Sequence, residues 1–78
     1  HGVKKVCVTG KIDVTRNEIS DILSEFNYNV TSTVTKDCYA LITADTTAKS
    51  SKMTKAQQLG IKIINYWDNR SDIMNGKL

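Results

Sequence analysis

The chain reads as an α/β domain whose parallel sheet is covered by helices on both faces. Three observations predict this. Short apolar or β-branched runs alternate with helical patterns in the order β-α-β-β-α-β-α. Parallel neighbours need crossover connections, and helices supply them here between most strands. In Val6-Cys7-Val8, the two valines point one way and the cysteine the other. A strand apolar on both faces belongs inside a sheet covered on both sides.

Taken in order, residues 4–9 form the first strand, which ends in Thr9-Gly10, and residues 10–14 form a loop. Thr15-Arg16-Asn17-Glu18 is a capping box, with Thr15 at the N-cap and Glu18 reaching back to it. Ile19, Ile22, Leu23 and Phe26 then recur at helical spacing and give one buried stripe. Asn27-Tyr28-Asn29 stops the helix, since asparagine tolerates the left-handed conformation such a stop often needs. Residues 30–34 are β-branched and read as the second strand, 35–37 as a turn, and 39–43 as the third strand. After a polar loop over 44–50, a short helix runs from Ser51 to Leu59, buries Met53, Ala56 and Leu59, and stops at Gly60. Residues 61–65 are the fourth strand, and 66–74 a last helix that offers Tyr66, Trp67, Ile73 and Met74 to the core.

Seventy-eight residues make one domain with one small core. The expected domain covers residues 3–76, with His1-Gly2 an expression-tag remnant and the whole excised from something larger. Apolar residues at 40% and charged ones at 24% suit a soluble globular chain. No apolar run approaches the ~20 residues of a membrane span, and the start lacks the apolar stretch of a secretory signal. Cys7 and Cys38 lie in or beside apolar strands and form no CxxC motif, which points to buried, reduced thiols. The setting expected is intracellular: bacterial or phage cytoplasm, or a nucleus. Two glycosylation sequons, at Asn29 and Asn69, carry no meaning there.

Net charge is +3, and its distribution says more than its size. Residues 46–67 hold Lys49, Lys52, Lys55 and Lys62 without an acid, while 15–26 set Arg16 against Glu18, Asp21 and Glu25. One face should be basic and the opposite helix acidic, and a basic face favours phosphate-bearing partners. In open parallel sheets, ligands bind beyond the carboxyl ends of the strands. Thr9-Gly10 leaves that end of the first strand, and the Ser51 helix starts from the same edge after the third. If these strands are neighbours, Thr9, Gly10 and Lys52 converge on one anion. A glycine amide, a hydroxyl and a first-turn lysine suit a phosphate, because they donate or carry positive charge without a competing acceptor.

No catalytic set is present. The only histidine is His1, without which no Ser/His/Asp or Cys/His arrangement is possible, and no metal-ligand spacing occurs. No catalytic residue, metal or cofactor is therefore expected. Asp45 resembles a receiver-domain phosphoacceptor, but such domains have five strands and more acids after the first. Tyr28 and Tyr39 read as packing residues, and Tyr66 and Trp67 as core or surface-covering aromatics rather than base-stacking platforms.

In this order and spacing the sequence resembles a BRCT domain. The resemblance rests on the strand ending Thr9-Gly10, the Arg16 helix, the 30–34 strand followed by Lys36, the 39–42 strand, and Ser51-Lys52-x-x-Lys55-Ala56-x-x-Leu59-Gly60-Ile61. The last stretch is most similar to BRCT domains of NAD-dependent DNA ligases and of the replication factor C large subunit. The resemblance implies a four-stranded parallel sheet of order 2-1-3-4, with helices 1 and 3 on one face and helix 2 on the other. It also implies a phosphate pocket at Thr9, Gly10 and Lys52, with Arg16 added as in DNA-end-binding members. Lys49 and Lys55 would lend electrostatic support. Three departures stand out: Asn27-Tyr28-Asn29 replaces a frequent Gly-Gly, residues 44–50 lack glycine, and the usual helix-3 tryptophan falls one position after Trp67.

The function expected is a non-catalytic module of a DNA replication or repair protein, with a ligase as parent, that binds DNA at 5′-phosphate ends. The alternative is a protein-interaction BRCT domain that binds a phosphopeptide or pairs with another domain. A flavodoxin-like enzyme fragment is disfavoured by length and missing strands.

Overall fold

A computed structural model describes residues 3–47 and 50–78. The elements are β1 (Lys4–Thr9), α1 (Arg16–Ser24), β2 (Tyr28–Thr31), β3 (Cys38–Thr43), α2 (Ser51–Leu59), β4 (Lys62–Asn65) and α3 (Arg70–Met74). The four strands form one sheet of order β2-β1-β3-β4, and every neighbouring pair is parallel. Placing β1 centrally explains its two-sided apolar pattern. Val6 and Val8 pack with Ile19 and Leu23 of α1 and Ile73 of α3, whereas Cys7 packs with Met53 and Ala56 of α2. Helices 1 and 3 therefore share one face, and helix 2 has the other.

Local signals account for the helix ends. Thr15 accepts from the Glu18 amide and Glu18 reaches back to Thr15, closing the capping box. Ser50 caps α2 by accepting from the Met53 amide at 3.2 Å. Gly60, in the left-handed region at φ 69°, donates to the carbonyls of Ala56 and Gln57 and ends α2. Asn27 takes φ 66° between α1 and β2, the conformation expected of that stop.

Several boundaries differ from the sequence reading. The second strand is Tyr28–Thr31 rather than 30–34. As an edge strand it pairs only with β1, and its register begins Lys4↔Tyr28, so β1 decides its start and β-branched propensity does not. Ser32 and Thr33 leave the sheet, and Val34 turns in to the α2 core. The last helix begins at Arg70 instead of Tyr66. Tyr66 is tied to β3 through its amide and the Thr43 carbonyl at 2.8 Å, which holds 66–69 in a turn. Three apolar residues expected inside are partly outside: Phe26 at 41% exposure, Leu59 at 40% and Trp67 at 50%. Each stands beyond the last turn or strand residue that faces the sheet, or at the very end of its helix.

A register shift between Lys5 and Val6 opposes Lys5 to Cys38 and Val6 to Ala40, leaving Tyr39 as the extra residue of a bulge. The bulge turns Tyr39 and Ala40 toward the same core while Cys38 joins Cys7 on the other. Both thiols are free and buried, with their Sγ atoms 3.2 Å apart. Burial pushes the Cys7 thiol up from its ordinary range, against a smaller lowering by the Thr31 hydroxyl. Among the described residues no helix is long and apolar enough to cross a membrane.

Candidate functional site

The carboxyl edge of the sheet gathers most of the polar groups that the sequence singled out. β1 ends at Thr9, half-buried, whose carbonyl accepts from the Ala44 amide at 3.2 Å. Gly10 follows at φ +85°, and a Cβ there would stand 2.9 Å from the Cβ of Ala44. Both the conformation and the close approach of the chain after β3 thus require glycine. Arg16, the first residue of α1, folds back so that Nη2 donates to the Val8 carbonyl at 3.5 Å. The loop 10–15 thereby returns a guanidinium to the end of β1.

Lys52 is the second residue of α2 and half-buried. With Ser32, Thr33, Val34, Ser51 and Lys55 it lines a cleft of about 190 Å³. Two ammonium groups and three hydroxyls meet there, and the lining contains no carboxylate. The first turn of α2 holds no acid either, so the helix dipole and both lysines favour an anion. The charge of Lys52 is felt at the Cys7 thiol, two residues before Thr9. No hydrogen bond joins Lys52 to Thr9, Gly10 or Arg16. Arg16 reaches the Val8 carbonyl just before the Thr9-Gly10 turn, whereas Lys52 lines a cleft with Lys55 whose walls include none of Thr9, Gly10 and Arg16. Lys49 lies outside the described residues.

Two features escaped the sequence reading. Ser32 and Thr33 line the cleft because β2 ends early, which only the pairing reveals. Cys7 anchors them: its Sγ donates to the Thr33 carbonyl at 2.9 Å and meets Thr31 Oγ1 at 3.3 Å. The second feature joins Asp13, Tyr66 and Arg70. The Tyr66 hydroxyl donates to Asp13 Oδ1, and Arg70 Nε donates to Asp13 Oδ2 at 2.8 Å. Burial, reinforced by Asp13, pushes the Tyr66 hydroxyl up to about 12. The hydroxyl of Tyr66 and then Arg70 hold the Asp13 carboxyl below its usual range. More than fifty positions separate Asp13 from its partners, so no local motif could announce the contact. Asp45 accepts from the amide and hydroxyl of Thr47 at 2.9 and 2.6 Å.

A family model described as the BRCA1 C Terminus (BRCT) domain matches residues 3–66. The chain belongs to the BRCT family. A DNA ligase of Lachnoclostridium phytofermentans is 39% identical to this BRCT chain over 59 residues, covering 73% of the chain and 9% of the ligase. The BRCT chain therefore spans less than a tenth of that relative's length. Among solved structures, Rad4 BRCT1,2 in complex with a Crb2 phosphopeptide superposes with a TM-score of 0.71 at 21% identity, over 97% of this chain and 41% of that one. A structure of yeast Rtt107 and Slx4 superposes with a TM-score of 0.69 at 24% identity, over 97% and 17%. These two likenesses bear on the fold. The arrangement 2-1-3-4 with three helices is that of a BRCT domain, as the sequence led one to expect.

Proposed function

We propose that this BRCT domain is a non-catalytic, intracellular phosphate-recognition module of a DNA replication or repair protein of the DNA-ligase kind, and that it binds DNA at 5′-phosphate ends. The observation that carries this reading is the acid-free cleft of Lys52, Lys55, Ser32, Thr33 and Ser51 at the start of α2. A terminal phosphate takes donors from the Gly10 amide and the Thr9 hydroxyl. Lys52 pairs with its charge, and Arg16 turns from the Val8 carbonyl onto its oxygens. Gly10 matters because its missing Cβ leaves the amide open to close approach. Lys55, together with Lys49, supplies longer-range attraction. The resemblance to a ligase supports DNA as the partner, and the parent's joining chemistry would then lie elsewhere in that longer chain.

The deciding experiment is fluorescence anisotropy with duplex DNA bearing or lacking a 5′-phosphate. Tighter binding to the phosphorylated end, lost in Lys52→Ala, is expected. Equal binding to both duplexes would leave only a basic surface. The second reading is protein interaction, with a phosphopeptide or another domain as partner. It is favoured by the Rad4 structure, which is a complex with a phosphopeptide. A phosphoserine peptide that binds this chain more tightly than the DNA end would select it.

A further inference from the structure

Trp67 is the one aromatic at the carboxyl edge, among the described residues, that the core does not take up. It is 50% exposed, whereas its neighbour Tyr66 is fully buried. Of the others, Tyr28 starts β2, Tyr39 is the second residue of β3 and Phe26 precedes β2, at the opposite edge.

The exposed ring is held in place. It stands edge-on to Tyr66, with centroids 5.1 Å apart and planes at 85°. Tyr66 is fixed by its hydroxyl on Asp13 and by its amide on Thr43. Asp13 lies in the loop that starts at Gly10 and delivers Arg16. The ring is thus linked to the loop that carries Gly10 and Arg16, and a pre-set ring loses little freedom when something stacks on it.

The sheet register sets the span between the strands they follow. Thr9 pairs with Thr43, and Thr43 with Asn65. Two strand spacings, about 10 Å, therefore separate the end of β1 from the end of β4. Base edges of B-form DNA lie roughly 8 Å inside the phosphate rim, a length comparable to that strand-end separation. Asp68 is exposed beside Trp67 and repels phosphates, which leaves the apolar face of a base as the fitting neighbour.

We infer that Trp67 is the stacking platform for the terminal base of a DNA end whose 5′-phosphate lies at Gly10, an inference that rests on the reading proposed above. The platform accepts any base, because every base has a π face.

Trp67 is the only tryptophan, so its emission reports stacking directly. The 78-residue chain is titrated with 5′-phosphorylated duplexes whose terminal nucleotide is intact or abasic, following tryptophan emission and the anisotropy of labelled DNA. The intact end is expected to quench the emission and the abasic end to leave it unchanged. Trp67→Leu should bind the intact end about fivefold or more weakly, Trp67→Phe should recover most of that loss, and both should equal the unmutated chain on the abasic end. Binding that depends on the 5′-phosphate and on Lys52, with unchanged emission, overturns the platform and leaves the phosphate pocket standing. Absence of any phosphate-dependent DNA binding overturns both. Quenching by a phosphoserine peptide in place of DNA also overturns the platform. If the leucine variant misfolds by far-ultraviolet circular dichroism, the emission of the unmutated chain decides.

Discussion

On the face covered by α1 and α3, the sheet buries Ile19, Leu23, Ile42, Tyr66 and Ile73 in one continuous apolar cluster. On the face covered by α2, the cluster is smaller and softer: Leu41, Met53, Ala56, Val34 and two thiols. That second core soon gives way to Thr31, Ser32, Thr33 and the lysines of α2. The first face uses its area for burial, which is what holds a domain of this size together. The second surrenders area to polar groups, and so has a wall available for an anion. The difference teaches that in a chain of 78 residues one side of the sheet can be given over to burial while the other carries an acid-free polar cleft.

The sharpest way to break the comparison is a matched pair of truncations. Leu23→Ala empties a fully buried site in the larger core and should cost about 3–4 kcal/mol. Met53→Ala, in the smaller one, should cost nearer 2 kcal/mol, at the low end for such changes. Urea unfolding measures both, and equal costs would remove the asymmetry. Lys52→Ala tests the other side: phosphate-dependent affinity should fall by about 1.5–3 kcal/mol, the range for a charged hydrogen bond, with the unfolding midpoint unchanged. Binding by the unmutated chain should also weaken steeply with salt as counterions are released. Anisotropy at two salt concentrations checks both statements.

Smaller effects sharpen the picture at the edge shared by the two faces. Gly10→Ala combines a φ of +85° with a Cβ 2.9 Å from Ala44. It should lose about 1–3 kcal/mol of stability and weaken phosphate binding in step. Tyr66→Phe removes only the hydroxyl that Asp13 receives and should cost about 1 kcal/mol. It also changes the pH dependence. The Tyr66 hydroxyl ionises near 10 when unfolded and at about 12 when folded. The folded chain therefore holds that proton more tightly, and its contribution is complete below pH 10 and lost as pH rises from 10 to 12. Urea midpoints across that interval should fall in the unmutated chain and fall less in Tyr66→Phe. The ion pair of Arg70 with Asp13 is exposed, at 48% and 36% for the two side chains. Arg70→Ala should leave the urea midpoint nearly unchanged.

Much of this was legible without coordinates. The capping box at Thr15, the glycine stop at Gly60 and the two-sided β1 are local signals, written within a few residues of where they act. They were enough to order the elements, and the strand order and family followed from the resemblance. Lys52 was singled out from its place at the start of a helix that leaves the carboxyl edge, and Arg16 from the resemblance. Other features depended on partners distant in the chain. The length of β2 was decided by β1, the cleft wall at Ser32 and Thr33 by that early end, and the Asp13–Tyr66–Arg70 link by contacts more than fifty residues apart. Trp67 had the composition of a core residue and half of its surface stayed in water. Helix caps and face periodicity are short-range and survive translation from sequence to structure. Edge pairing, cleft walls and aromatic exposure are settled only when separate segments compete for the same space, and that competition is the tertiary structure itself.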